Sequence, residues 1–170
     1  GKDRVIAGIA RAAPDIVPVT RVITRAPDPT GEVCTPVSTA EFAELQAAGA
    51  FCLHWQAHGL RYGIPMRVVH EVQGGAQPIV NLSRGVLTEA QALFPDLVVL
   101  HVTARPETLA RRLNGRGRET ATWIEGRLAR QGAELPQGLA PVDLPNDGPL
   151  DETIARALHL LAQTDPRARR

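Results

Sequence analysis

Leu97-Val98-Val99-Leu100-His101-Val102 is an almost continuously apolar run, and Pro106 opens a helical pattern shortly after it. Runs of this kind are typical of central strands in a parallel sheet, which are buried on both faces. Short apolar or β-branched segments separated by helical patterns occur on both sides of it. We therefore predict one α/β domain in which helices cover both faces of a parallel sheet.

The remaining predicted elements continue this alternation of strands and helices. Strands are predicted at 16–24, 51–55, 60–62, 79–82 and 142–144. Helices are predicted up to Pro14, over 39–48, after Pro65, over 86–93, from Pro106, over 122–128 and from Pro149. Two of them begin with a predicted capping box, Ser38 with Glu41 and Thr122 with Glu125.

The composition of the 170 residues, 44% hydrophobic and 22% charged, is that of an ordinary globular protein. The net charge of +1 gives no general reason to expect binding to nucleic acid or to a membrane. Two cysteines do not make a disulfide framework in a chain of this length, and a cytoplasmic location is expected. We expect no membrane span, signal peptide, zinc site or serine triad.

The chain opens with Gly1-Lys2-Asp3 at the start of a predicted helix. In a P-loop, backbone N–H groups of a glycine-rich turn bind phosphates, and a lysine at the helix N-terminus reaches the β- and γ-phosphates of the nucleotide. Taken alone, these three residues are more often a terminus in solvent.

A second candidate region is rich in arginine. Arg112-Leu113-Asn114-Gly115-Arg116-Gly117-Arg118-Glu119 leaves one predicted helix and leads to another, which carries Arg127. Phosphoryl transfer needs cations around oxygens that repel one another, and flanking glycines allow a loop to close over a nucleotide. A solvated basic face is the competing interpretation.

Two further stretches carry candidate ligand-binding side chains. Arg21-Val22-Ile23-Thr24-Arg25 is placed at the carboxyl end of a predicted strand, where open α/β sheets bind ligands, and arginine matches pairs of phosphate oxygens. His54-Trp55-Gln56-Ala57-His58-Gly59-Leu60-Arg61-Tyr62-Gly63 combines donors, acceptors and rings. A half-buried hairpin explains this second stretch as well as a substrate pocket does.

Taken in order, these pieces resemble the guanylate kinase superfamily across nearly the whole chain. The matching positions are Lys2, Thr24-Arg25, Gly31-Glu32, Glu41-Phe42, Gly49, Phe51, Tyr62-Gly63, Arg112-Leu113, Arg116-Gly117, Glu119, Arg127-Leu128 and Asn146-Asp147. Within that superfamily the chain is similar to the ribose 1,5-bisphosphate phosphokinases of phosphonate breakdown, on Gly1-Lys2-Asp3, Arg21 to Arg25, His54 to Gly63, Asn81-Leu82-Ser83-Arg84 and Arg116-Gly117-Arg118-Glu119.

The resemblance implies that ATP, with Mg2+, phosphorylates the 1-phosphate of ribose 1,5-bisphosphate, giving 5-phosphoribosyl 1-diphosphate and ADP. It implies catalytic roles for Lys2, Arg116 and Arg127, and nucleotide contacts from Gly1, Lys2, Asp3, Arg112, Arg116 and Asn146. Substrate contacts are expected from Arg21, Arg25, Glu32, Gln56, Tyr62, Ser83 and Arg84, and Asp3 is the candidate metal ligand. The implied domain covers 1–163, with an acceptor-binding insertion at about 25–75, a lid at about 112–127 and a disordered tail at 164–170.

Departures from guanylate kinases favour a sugar phosphate as the acceptor. Gln56 stands where those enzymes read guanine with a glutamate, Ile64-Pro65 replaces their Thr-Ser, and Leu82 lies near their purine-reading aspartate. Loss of carboxylates that accept guanine N–H groups removes discrimination in favour of guanine.

On the donor side, the first strand and most of the P-loop of that family are absent from these 170 residues, and Arg4 replaces a small hydroxyl residue. Weak ATP binding by this stretch of chain is therefore expected.

Two alternatives remain open at this point. One is a nucleoside monophosphate kinase, and the other is a non-catalytic guanylate-kinase-like module that binds phosphopeptides. The arginines at 112–127 argue against the module, because a scaffold has no use for them. The expected partner is a small sugar phosphate rather than nucleic acid or membrane, and a homodimer is left open.

Overall fold

The computed structural model describes residues 1–26, 33–114 and 135–164, and for 113 and 114 it describes the backbone alone. The chain divides into two compact units, Gly1–Leu97 and Val98–Arg170. The first unit contains α1 (Lys2–Ala12), β1 (Ile16–Pro18), β2 (Arg21–Ile23), β3 (Cys34–Pro36), α2 (Thr39–Ala47), β4 (Phe51–Ala57), β5 (Leu60–Pro65), α3 (Arg67–Gln73), β6 (Gln77–Ile79), a 3-10 turn (Arg84–Val86) and α4 (Leu87–Leu93). The second contains β7 (Leu100–Thr103), α5 (Pro106–Asn114), β8 (Val142–Pro145) and α6 (Leu150–Thr164).

The first unit holds two sheets. Strands β1 and β6 form a parallel pair, and the other four strands form a mixed sheet in the order β3-β2-β5-β4. In the mixed sheet β2 pairs with β3 in parallel and with β5 antiparallel, while β4 and β5 form an antiparallel hairpin. The second unit holds the parallel pair β7–β8. The prediction of an α/β fold with parallel strands is thus confirmed, although the four-stranded sheet is mixed rather than parallel.

The single strand predicted over 16–24 is two strands that belong to different sheets. The pairing with β6 extends to Val19, whose N–H donates to Ile79 O, and the chain then joins the mixed sheet at Arg21. Prolines at 18 and 78 remove two N–H donors from the β1–β6 pair, which keeps that ladder short. Periodicity alone cannot detect a change of partner within one β-branched run.

Local signals in the first unit gave the elements that they predicted. The capping box of α2 is present: the Ser38 hydroxyl accepts from Glu41 N–H, and Glu41 accepts from Ser38 N–H. The β4–β5 hairpin turns on His58 and Gly59, which both have positive φ. A two-residue loop with this geometry is the type I′ turn, whose twist matches that of paired strands.

Two apolar clusters lie on opposite faces of the mixed sheet. On one face, Leu53 and Ile64 pack with residues from α3 and α4, namely Val68 and Ala90. On the other, Val22 and Phe51 pack against Phe42 of α2. Both faces are therefore covered by helices, as expected for an α/β unit.

In the second unit, the apolar run over 97–102 contributes to β7, which begins at Leu100 and pairs with β8 in parallel. Its residues are half-buried rather than buried throughout. Leu144 of β8 and Ala157 of α6 are fully buried, and Ile154 of α6 is also buried. The helix predicted over 122–128, most of the lid at 112–127 and the tail after 164 lie outside the described residues. None of the described helices combines the length and apolar character needed to cross a bilayer.

Replacement of Gly63 by alanine tests the packing of the mixed sheet. An added Cβ would lie 2.6 Å from atoms of the Phe51 ring, and that ring stacks on Phe42 with centroids 4.7 Å apart. Overpacking of this kind costs about 1–3 kcal/mol, so Gly63→Ala should lower the melting temperature by several degrees. Gly85→Ala is the matched control, since nothing lies within 4 Å of its added Cβ. Equal melting temperatures for the two variants would contradict this packing.

Candidate active site

The carboxyl ends of β1 and β6 meet at one edge of their parallel pair. Pro18 is in register with Ile79 at this edge, and each strand is followed within a few residues by a polar side chain, Arg21 after β1 and Asn81 after β6. This is where open α/β sheets place their ligands. The sequence placed Arg21 near the carboxyl end of a single strand over 16–24, whereas in the structure Arg21 follows the carboxyl end of β1 and begins β2.

Arg21 is buried, with an exposed fraction of 7%. Its Nη1 donates to the backbone oxygen of Asn81 at 2.9 Å. Its guanidinium also lies 5.1 Å from the centroid of the Tyr62 ring and 5.9 Å from that of Trp55, and these two rings stack on each other 5.2 Å apart. Cation–π contacts of this kind strengthen when the cation is desolvated.

Asn81 also contacts the start of α1. Its Nδ2 donates to Oδ1 of Asp3 at 3.4 Å. Asp3 lies in the first turn of α1, where a carboxylate is favoured by the helix dipole. Lys2 precedes it and is exposed. Asp3, which was predicted for the nucleotide and its metal ion, is thereby joined through Asn81 to Arg21, which was predicted for the acceptor.

An open groove lies beside Arg25, immediately after β2. Its volume is about 560 Å³, and its described lining is Thr24, Arg25, Ala26, Pro36, Val37, Ser38, Thr39 and Glu41. Thr24 is fixed to the hairpin, because its Oγ1 accepts from Arg61 N–H at 2.8 Å. The Glu41 carboxylate accepts from Ser38 N–H at 2.7 Å, and this bond lowers the pKa of Glu41 below its usual value. The groove therefore offers one guanidinium, three hydroxyls and one carboxylate.

The structure brings only some of the predicted acceptor residues together. Tyr62 contacts Arg21, as described above, and Ser83 and Arg84 follow Asn81 closely at the 3-10 turn. Gln56 is exposed on β4 and neighbours Trp55 in sequence, so the two side chains point to opposite faces of the sheet. Gln56 thus does not share a face with the Trp55–Tyr62 pair.

In the second unit, Asn146 and Asp147 follow the carboxyl end of β8. Asn146 is buried, its Oδ1 accepts from the Thr153 hydroxyl at 3.3 Å, and its backbone oxygen accepts from Arg112 Nη1 at 2.8 Å. Arg112 Nη2 also donates to Gly148 O at 3.4 Å. The structure thus joins Arg112 and Asn146, both of which were predicted to contact the nucleotide.

Asp147 caps the start of α5. Its Oδ1 accepts from Arg105 N–H at 2.7 Å. This hydrogen bond, a second from the buried Thr108 hydroxyl, and the nearby Arg105 charge together lower the pKa of Asp147. The helix that carries Arg112 is therefore attached to the same segment that carries Asn146.

Sequence reasoning missed three residues that organise these groups, and three of its candidates lie outside the described residues. The missed residues are Asn81, Trp55 and Thr153. Asn81 could have been found from its position after a strand end. The roles of Trp55 and Thr153 depend on contacts that only the fold shows, namely the stacking of Trp55 on Tyr62 and the hydrogen bond from Thr153 to Asn146. The candidates outside the described residues are Glu32, Arg116 and Arg127.

The residues at the start of α1 fit the phosphates of a nucleotide and a magnesium ion. Lys2 is an exposed cation at a helix N-terminus, where the dipole favours anions. Asp3 supplies hard carboxylate oxygens beside it, and Mg2+ is commonly held by one or two carboxylates together with substrate phosphates.

The fold is that of the guanylate kinases. A guanylate kinase from Anaplasma phagocytophilum superposes with a TM-score of 0.71 over 94% of this chain and 82% of that protein, at 19% sequence identity. No family model matches the chain. Fold and site together thus define a guanylate-kinase-like α/β protein with cationic groups at its strand ends.

Sequence relatives narrow this class. The ribose 1,5-bisphosphate phosphokinase PhnN of Ruegeria sp. (strain TM1040) is 51% identical over 158 residues, which cover 92% of this chain and 83% of that protein. The PhnN of Pseudomonas paraeruginosa is 44% identical over 142 residues, 82% of this chain and 76% of the relative. The chain belongs to the ribose 1,5-bisphosphate phosphokinase family. It also matches a bifunctional ribose 1,5-bisphosphokinase-thymidine phosphorylase of Cupriavidus necator at 42% identity, of which it spans 27%.

Asp147→Asn tests the cap on α5 through its pH dependence. The pKa of this carboxyl is lower in the folded chain than in the unfolded chain, where it is about 3.9. Its ionised form therefore stabilises the fold at pH values above that unfolded pKa. That contribution is lost as the pH falls through the folded pKa. The variant should therefore melt below the wild type at about pH 7, and the gap should close as the solution is acidified.

Asp96→Asn removes an exposed carboxylate from another part of the chain and serves as the control. Its melting curve should follow that of the wild type at each pH, because exposed substitutions usually have small effects. A deficit for Asp147→Asn that stays constant over the whole acid range would show that the charge of this residue is not what stabilises the cap.

Proposed function

We propose that this chain transfers the γ-phosphoryl group of ATP to the 1-phosphate of ribose 1,5-bisphosphate, giving 5-phosphoribosyl 1-diphosphate and ADP. Membership of the family supports the reaction. The groove at Arg25 supports a phosphorylated acceptor, because its guanidinium and hydroxyls suit phosphate oxygens.

The observation that carries the choice of acceptor is the 51% identity to a ribose 1,5-bisphosphate phosphokinase over 92% of this chain. Among the described residues that line the groove at Arg25, Glu41 is the sole carboxylate. The hydroxyls of Ser38, Thr39 and Thr24 and the guanidinium of Arg25 suit phosphate and sugar oxygens.

In the proposed reaction an oxygen of the acceptor's 1-phosphate attacks the γ-phosphorus of ATP. The bond from γ-phosphorus to the β–γ bridging oxygen breaks, and ADP leaves with the electron pair. The second pKa of a phosphate monoester is about 6, so the attacking group is already anionic and needs no general base. The work of the protein is then to position two mutually repelling anions and to compensate their charge.

We assign Lys2 to the donor phosphates, and Arg25 to the acceptor together with Tyr62, Ser83 and Arg84. Bound magnesium would supply charge neutralisation of the donor phosphates, with Asp3 as its protein ligand. On sequence grounds, Arg116 and Arg127 compensate charge that develops on the transferred group, and Glu32 adds an acceptor contact. Gln56 was also predicted for the acceptor, but it lies on the face of β4 opposite Trp55, so we do not assign it together with Tyr62.

By the resemblance to guanylate kinases, we assign the contact with adenine to Asn146. Arg112, which was also predicted to contact the nucleotide, is joined to Asn146 by a hydrogen bond. We further propose a single domain over 1–163 with an acceptor-binding insertion at about 25–75 and a lid at about 112–127, acting in the cytoplasm.

The choice of acceptor is tested by measuring turnover of ribose 1,5-bisphosphate and of GMP under identical conditions. Because the named acceptor of the family is the sugar bisphosphate, kcat/KM for this substrate should exceed that for GMP by about 10²-fold or more. ADP release, measured in a coupled assay, reports both reactions. Arg25→Ala should lower kcat/KM for the bisphosphate, whereas Arg11→Ala, at the exposed end of α1, should leave it unchanged. Equal or faster turnover of GMP would contradict the proposed acceptor.

A further inference from the structure

Asn81 makes two different contacts with two different parts of the first unit. Its backbone oxygen accepts from Arg21, at the start of β2, and its side-chain amide donates to Asp3, in the first turn of α1. It lies between the end of β6 and the 3-10 turn. Three segments that are distant in sequence therefore meet at this one residue.

Arg21, which donates to the backbone oxygen of Asn81, is held rigidly. Arg21 is 7% exposed and contacts the stacked Trp55–Tyr62 pair. A buried guanidinium keeps its position because leaving its acceptors unpaired is costly. The carbonyl of Asn81 is thus fixed relative to the aromatic pair, and its side chain extends from that fixed point.

The partner on the other side of Asn81 is exposed. Asp3 lies in the first turn of α1, and its carboxylate is accessible to solvent. A neutral amide can donate to this carboxylate and restrict its rotamers without adding charge. A carboxylate at position 81 would instead repel it, and an alanine would make no bond.

We propose that Asn81 is a positioning residue, which fixes the first turn of α1 relative to Arg21 and the aromatic pair. This rests on the proposed function, because Lys2 and Asp3 face the donor phosphates only in that reaction. Asn81 would act on ATP through Asp3, while the acceptor would be affected little, since truncation of the side chain leaves the carbonyl that receives Arg21 in place.

The kinetic test compares Asn81→Ala with Gln73→Ala, which removes an exposed amide at the end of α3. Displacement of a reacting group by about 1 Å can cost 10²-fold, so Asn81→Ala should lower kcat/KM for ATP roughly tenfold or more. KM for ribose 1,5-bisphosphate should stay within about twofold of wild type, and Gln73→Ala should match wild type in both. An unchanged kcat/KM for ATP, or a loss expressed in KM for the acceptor alone, would overturn the positioning role.

A reciprocal exchange tests the contact without reference to turnover. Asn81→Asp places two carboxylates together and should lower the melting temperature, because like charges at this separation repel. Adding Asp3→Asn restores one donor and one acceptor in reversed order, and the double variant should regain most of the loss. If it melts no higher than Asn81→Asp, the contact between the two side chains does not stabilise α1 and the proposal fails.

The two readouts separate failure of this inference from failure of the proposed function. If the wild-type protein does not turn over ribose 1,5-bisphosphate, the proposed reaction is wrong, and binding of Mg-ATP by titration calorimetry replaces the kinetic readout. Weaker binding by Asn81→Ala than by Gln73→Ala would then support the positioning role, and equal binding would overturn it.

Discussion

The buried guanidinium of Arg21 is the constraint on which the first unit depends. A cation removed from water is stable only where its N–H groups and its charge are matched. Here the match includes the carbonyl of Asn81 and the faces of the Trp55–Tyr62 pair. These partners come from the loop after β6 and from the β4–β5 hairpin, so the arginine holds the two sheets of the unit at their junction. The first turn of α1 is linked to this arginine through the contact between Asn81 and Asp3.

In the second unit, a short polar segment after β8 holds helix α5 in place through hydrogen bonds. Asn146 and Asp147 engage opposite ends of α5: Asp147 accepts from the N–H of Arg105, and Arg112 donates to the backbone of Asn146. Thr153 of α6 adds a buried hydrogen bond to the Asn146 side chain. A residue assigned to the nucleotide base is thereby oriented before any ligand binds, which reduces the ordering cost of binding.

The features that the sequence predicts well are those with local causes. The Ser38–Glu41 capping box sets the start of α2 from residues three apart, and β-branched or apolar alternation marks β4 and β5. The burial of Arg21 could not be predicted in this way, because arginine is usually exposed and its acceptor lies sixty positions further along the chain. The same limit explains the split of 16–24 into two strands, and the separation of Gln56 from Tyr62, which follows from register. The resemblance to a known family supplied the candidate roles, whereas the contacts that hold those residues depend on tertiary structure.

The central claim is that the acceptor's own phosphate is the nucleophile, in a site whose cations hold two anions together. The most direct measurement supplies ATP labelled with 32P at the γ-position together with ribose 1,5-bisphosphate, and locates the label in the purified product. The account predicts that all transferred label lies in the terminal phosphate of the diphosphate at C1, with one ADP formed for each product. Label on a ribose hydroxyl or on the 5-phosphate, or release of the label as inorganic phosphate with the sugar unchanged, would contradict it.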